Sequence, residues 1–227
     1  MGLNNRRYAA SHGLPQWAVS LVLLLSLAWT LPAQAQAANA PAAKAEKTVL
    51  VMGDSLSAGY GLAASEGWVA LTAERIAKEK PGWRVVNASI SGETTAGGAA
   101  RIVDAVTRHQ PAVVVIELGA NDGLRGLPLR DMKRNLARMI GASESVGAEV
   151  LLVGMRIPPN YGPEYTRGFE RTYTDLAKLF DVELLPFLLQ PLATDRASFQ
   201  NDNLHPVAAV QPKLRDHVWT ALEPLLK

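Results

Sequence analysis

Five short apolar runs alternate along the chain with five longer amphipathic stretches. The runs fall at residues 48–52, 84–88, 112–118, 150–153 and 182–185. Each is shorter than an ordinary helix and is bounded by polar or turn-forming residues, so each predicts a strand. The third contains "VVVIEL", β-branched and apolar on both faces, which suits a central parallel strand covered on two sides. The longer stretches, at residues 67–80, 94–109, 129–146, 165–180 and 207–226, repeat apolar positions at helical spacing. Gly97-Gly98 inside the second predicts close packing of that helix on the sheet. Strict alternation of strand and helix predicts an α/β fold, a three-layer α/β/α sandwich around a mostly parallel five-stranded sheet. Ligands bind such sheets at the carboxyl ends of the strands. The chemistry is therefore expected in the loops that follow them.

The first 35 residues break this pattern. Arg6 and Arg7 precede a run of 15 mostly apolar residues, 17–31, and Pro32-Ala33-Gln34-Ala35 then offers small residues for cleavage. That order predicts a signal peptide over residues 1–35, hence an exported protein, periplasmic or secreted. An uncleaved anchor is the alternative, but the run is shorter than the roughly 20 residues that span a bilayer. Residues 36–46, "QAANAPAAKAE", read as a flexible leader, and residues 47–227 as one domain with room for one core. Cleavage after Ala35 removes two arginines and no acid, so 23 basic residues fall to 21 against 21 acidic ones. A neutral mature chain gives no electrostatic case for nucleic acid. The chain has no cysteine, which excludes thiol catalysis, disulfides and thiolate metal sites.

Four loops at the active edge carry the candidate chemistry. Gly53-Asp54-Ser55 follows the first strand, "NASISGETT" with Gly92 the second, and "GANDG" with Asn121 the third. "DNLHP", with Asp202 and His205, precedes the last helix. Taken singly these are bland: serine caps helices, and Asn121-Asp122-Gly123 makes a good turn. Asp54 and Asp122 read as loop-shaping residues that bond to backbone, and His109 and His217 as surface residues. Together the loops offer more. A serine hydroxyl needs an adjacent base to attack a carbonyl, and His205 can be that base. Asp202, three residues earlier, can reach the imidazole across a tight turn. The N–H groups of Ser55 and Gly92 and the amide of Asn121 can receive the charge that develops on the carbonyl oxygen.

These blocks, "GDSLSAGYG", "NASISGET", "ELGANDGLRG" and "DNLHP", resemble in kind and order those of the SGNH (GDSL) hydrolase family. "NYGPEY" and "FDVELLPF" are most similar to its bacterial periplasmic members of broad specificity. The resemblance covers residue 47 to the C-terminus and implies a flavodoxin-like fold. It implies Ser55 as nucleophile, Asp202 and His205 completing a triad, and Ser55, Gly92 and Asn121 as an oxyanion hole. Family members commonly have glycine after the aspartate of the last block; Asn203 tolerates unusual backbone angles nearly as well. The absent GxSxG motif argues against the larger α/β-hydrolase fold. The implied function is a serine esterase acting on fatty acyl thioesters, lysophospholipids and aryl or short alkyl esters. A polysaccharide or cell-wall O-acetylesterase with the same triad is the alternative, and a non-catalytic lipid-binding module the second rival. Leu124, Leu127, Ile157 and Phe187 are expected to wall the acyl site. No metal or other cofactor, no nucleic acid and no membrane span in the mature chain are expected, and the protein is expected to be a monomer.

Overall fold

The computed structural model describes residues 46–227. The expected signal peptide, and the leader apart from Glu46, lie outside the described residues. Strand β1 (Lys47–Gly53) is buried at every position but the first, because it has a parallel neighbour on each side. Those neighbours are β2 (Trp83–Asn87) and β3 (Val113–Glu117); β4 (Glu149–Val153) and β5 (Glu183–Leu185) continue the sheet. The order is β2-β1-β3-β4-β5. Every pairing is parallel, so the expected mostly parallel sheet is wholly parallel. All five residues of β3 are buried, which explains why its sequence is a continuous apolar run rather than an alternating one.

Two groups of helices cover the sheet. α2 (Trp68–Glu79) packs against α7 (Gln211–Leu222), while α5 (Leu129–Glu144) packs against both α3 (Thr95–His109) and α6 (Pro163–Phe180). The residues facing inward are those the helical period picks out: Ile102 and Val106 on α3, Leu136, Met139 and Ile140 on α5, Phe169, Tyr173 and Leu176 on α6. Burial of each aliphatic side chain of this kind contributes about 1.5–3 kcal/mol. A side chain at Gly98 would run into Leu118 and Met139, so this glycine lets α3 approach the sheet, as its sequence position predicts. Among the described residues no helix is long and apolar enough to cross a membrane.

The structure departs from the sequence reading at proline and at short helices. The stretch 207–226 is not one helix. A 3-10 turn at Ala208–Val210 leads into α7, and a second at Glu223–Leu225 follows it; Pro224, which has no N–H to donate, sits at the break. α6 starts two residues before its expected beginning, at Pro163, where a missing N–H costs nothing. Two short helices occupy segments read as loops: α1 (Ser55–Ala58) after β1 and α4 (Ala120–Leu124) after β3. Both stand at the point where the strand order turns from one side of β1 to the other, the position at which open parallel sheets bind ligands.

Candidate active site

The nucleophile candidate sits on a tight strand-to-helix junction. β1 ends at Gly53, and Asp54 caps α1 by accepting the Leu56 N–H on Oδ1 at 3.0 Å. Ser55, the first residue of α1, is therefore not the cap, and its hydroxyl is left for other use. Ser55 Oγ lies 2.8 Å from His205 Nε2, and His205 Nδ1 lies 2.7 Å from Asp202 Oδ2. The other carboxylate oxygen of Asp202 accepts the N–H groups of Leu204 at 2.9 Å and His205 at 3.1 Å. Asn203, between Asp202 and Leu204, has φ of 64°, the left-handed conformation that asparagine tolerates. The turn thus wraps its own carboxylate and points it at the imidazole.

This bonding has an electrostatic consequence. The hydrogen bond to His205, followed by the one from the Leu204 N–H, holds the Asp202 carboxyl down at about 2. Its stabilising effect is present above the ordinary carboxylate range and is lost as pH falls towards about 2. Tyr60 lies against the imidazole, ring centres 4.6 Å apart and planes tilted by 40°. Gln200 ties the two loops together: its side-chain amide donates to Tyr60 O at 2.9 Å, and its backbone N–H donates to His205 O at 2.8 Å.

Hydrogen-bond donors surround the same point. Among the described residues the N–H groups of Ser55 and Gly92 have no acceptor. Gly92 has φ of 78°, and a Cβ there would meet nothing nearer than Arg125 Nη2 at 3.9 Å. Backbone conformation, not space, calls for glycine at this position. Arg125 Nη2 donates to Gly92 O at 2.9 Å. Asn121 Nδ2 donates to Glu93 O at 3.0 Å and to Asp54 Oδ2 at 3.2 Å, so both amide hydrogens already face oxygen. Asp122 accepts from the N–H and hydroxyl of Thr95 at 2.8 and 2.6 Å and fastens the start of α3 to this corner. Asp54 and Asp122 thus bond chiefly to backbone and neighbouring polar groups. Burial pushes the Asp54 carboxyl up to about 6, against the lowering effects of the Leu56 N–H, His205 and Asn121.

From this point a cleft of about 360 Å³ opens, with Ser55, Asn121 and His205 in its lining. Leu124, Ile157 and Phe187 line it as well. Leu127 does not. α4 ends at Leu124 and Gly126 reverses the chain at φ of 63°; the Leu127 N–H then bonds Asp122 O, and its carbonyl accepts from Tyr165. Apolar lining that the loop pattern left unnamed comes from Leu56, Met155, Leu189 and Phe199. His109 and His217, expected at the surface, are both half-buried, and His217 Nε2 lies 3.0 Å from the carbonyl of Phe187. Glu117 is fully buried behind the nucleophile turn, a place that the loop pattern does not point to. Its signal was present: an acid inside a strand apolar on both faces cannot reach solvent. Among the described residues no three His, Asp or Glu side chains are grouped to hold a metal ion.

Comparison with known proteins shows the family of the chain. Residues 51–211 match the GDSL-like Lipase/Acylhydrolase family. Esterase TesA of Pseudomonas aeruginosa is 48% identical over 182 residues, 80% of this chain and 90% of that protein. Thioesterase 1/protease 1/lysophospholipase L1 of Escherichia coli K12 is 41% identical, over 81% of this chain and 87% of that one. The crystal structure of the psychrotrophic esterase EstA from Pseudoalteromonas sp., inhibited by monoethylphosphonate, superposes with a TM-score of 0.76. It is 39% identical and covers 80% of this chain and 99% of its own. By the match over most of its length and by these identities, the chain belongs to the GDSL-like lipase/acylhydrolase family.

Proposed function

We propose that the protein is an exported serine esterase and thioesterase that forms its acyl-enzyme on Ser55. The observation that carries this reading is the hydrogen-bonded series Ser55 Oγ, His205 Nε2, His205 Nδ1 and Asp202 Oδ2, at 2.8 and 2.7 Å. His205 takes the hydroxyl proton as Oγ attacks the acyl carbonyl, and Asp202 fixes the tautomer and stabilises the imidazolium. The carbonyl oxygen becomes an oxyanion that accepts from the N–H groups of Ser55 and Gly92. Asn121 supplies a third donor by sharing one of its two committed hydrogens. His205 returns its proton to the leaving alcohol or thiol. Water, deprotonated by the same imidazole, then attacks the acyl-enzyme and frees the acid and the Ser55 hydroxyl. Each step moves one proton through one imidazole, so the cycle needs no cofactor.

The apolar wall of Leu124, Ile157, Phe187, Met155 and Leu189 supports a hydrocarbon acyl group. The names of the relatives, esterase and thioesterase 1/protease 1/lysophospholipase L1, support fatty acyl thioesters, lysophospholipids and aryl or short alkyl esters as the substrate class. The nucleophile, base, donors and cleft all come from one chain, so a monomer suffices. Export rests on Arg6-Arg7, the apolar run and the Ala-rich cleavage segment.

A chain-length series tests the acyl assignment. Each methylene buried contributes about 0.8 kcal/mol, so burial of even two of the extra methylenes of p-nitrophenyl octanoate is expected to raise its kcat/KM over that of the acetate by about tenfold or more. Octanoyl-CoA should be turned over as well. A strong preference for acetate would instead indicate an O-acetylesterase.

A further inference from the structure

Glu117 closes β3 in register with Gly53, the residue that ends β1 two positions before the nucleophile. Its carboxyl is fully buried. Oε2 accepts the Ser57 hydroxyl at 2.7 Å and, more weakly, the Asp54 N–H at 3.4 Å; Oε1 has no partner among the described residues. Ser57 is itself buried, and Asn87 Nδ2 donates to its carbonyl at 2.9 Å. A Cβ on Gly53 would come within 2.6 Å of Ser57 Oγ and 3.0 Å of Glu117 Oε2. Glycine at position 53 therefore makes the room in which this bond forms.

We propose that Glu117 is a positioning residue for the nucleophile: by holding Ser57 and the Asp54 N–H, it fixes the turn that sets Ser55 against His205. The proposal rests on the reading of Ser55 as nucleophile. Ser55 lies between the two anchored residues, so its hydroxyl and its N–H are oriented by a bond made beneath the site. Among the described residues no cation is set against Glu117. The ionisable groups that face it are Asp54, from the junction of β1 and α1, and Tyr173, from α6, whose hydroxyl donates to Leu118 O at 3.1 Å. Burial first, and Asp54 second, raise the Glu117 carboxyl well above the usual range. One carboxyl oxygen, Oε2, collects both donors, an arrangement that an amide carbonyl oxygen can reproduce.

The test compares Glu117→Gln, Glu117→Leu and Ser57→Ala by kcat and KM on one aryl ester and by the rate of fluorophosphonate labelling. A misplacement of about 1 Å can cost about 100-fold. Ser57→Ala and Glu117→Leu are therefore expected to lower kcat and labelling rate about 10- to 100-fold, with KM within about twofold. Glu117→Gln keeps a carbonyl acceptor for both donors and should restore kcat to within about threefold of wild type. A lowered melting temperature with unchanged kcat in Ser57→Ala overturns the proposal, as does Glu117→Gln no more active than Glu117→Leu. Should Glu117→Leu fail to fold, the other two variants decide. Wild-type protein that takes no label on Ser55 would defeat the nucleophile assignment itself. Label arriving equally fast in Ser57→Ala defeats only the role given to Glu117.

Discussion

Ser55→Ala is expected to lower kcat by about 10⁴- to 10⁶-fold and to shift the melting temperature by no more than about 2 °C. The two effects separate because the side chain does one job. Its Oγ has the imidazole of His205 as its partner, at 2.8 Å, while the cap of α1 belongs to Asp54. Alanine therefore removes the attacking atom and leaves the turn intact. What remains is the donor set and the cleft, which can still lower the barrier for direct attack by water, the source of the residual activity such variants keep. Steady-state turnover of an aryl ester, with calorimetry on the same sample, checks both halves.

Asp202→Asn is expected to reduce kcat by about 10²- to 10⁴-fold with little change in KM. The carboxylate accepts from His205 Nδ1 and in the same turn from two backbone N–H groups. An asparagine can keep the backbone bonds through its carbonyl oxygen, so the turn should persist. Its amide hydrogens would then face Nδ1, favouring the tautomer with the proton on Nε2, where it cannot accept from Ser55. The neutral amide also leaves the imidazolium unstabilised. Asp202 is part-exposed, at 37% of its side chain, so water can orient some of the imidazole population and soften the loss. A variant within about threefold of wild type would mean that another group orients His205.

Much of this site is legible in the sequence because parallel α/β sheets put loop chemistry in one place. Ser55, Gly92 and Asn121 follow from finding the strands and reading what comes after them, and His205 from the loop ahead of the last helix. The turn glycine at 92 and the left-handed Asn203 are readable for the same reason: backbone conformation restricts residue type locally. The helices α1 and α4 are not, since four or five residues are too few to display a period. The cleft wall is only half readable. Leu124, Ile157 and Phe187 lie in loops at the active edge, but so does Leu127, and the reversal at Gly126 that turns it away depends on contacts with α6. Met155, Leu189 and Phe199 come from irregular segments where no periodicity marks the inward face. Likewise His217 reads as an ordinary helix residue until the fold brings the carbonyl of Phe187 to it.

The central claim is that Ser55 is the one hydroxyl activated by His205. The direct measurement is labelling of the mature protein with a fluorophosphonate, followed by peptide mass spectrometry. The expected result is a single adduct on the peptide carrying Ser55, assigned to that residue by fragmentation and absent from Ser55→Ala. No adduct, or an adduct on a neighbouring hydroxyl such as Ser57 that survives in Ser55→Ala, would contradict it.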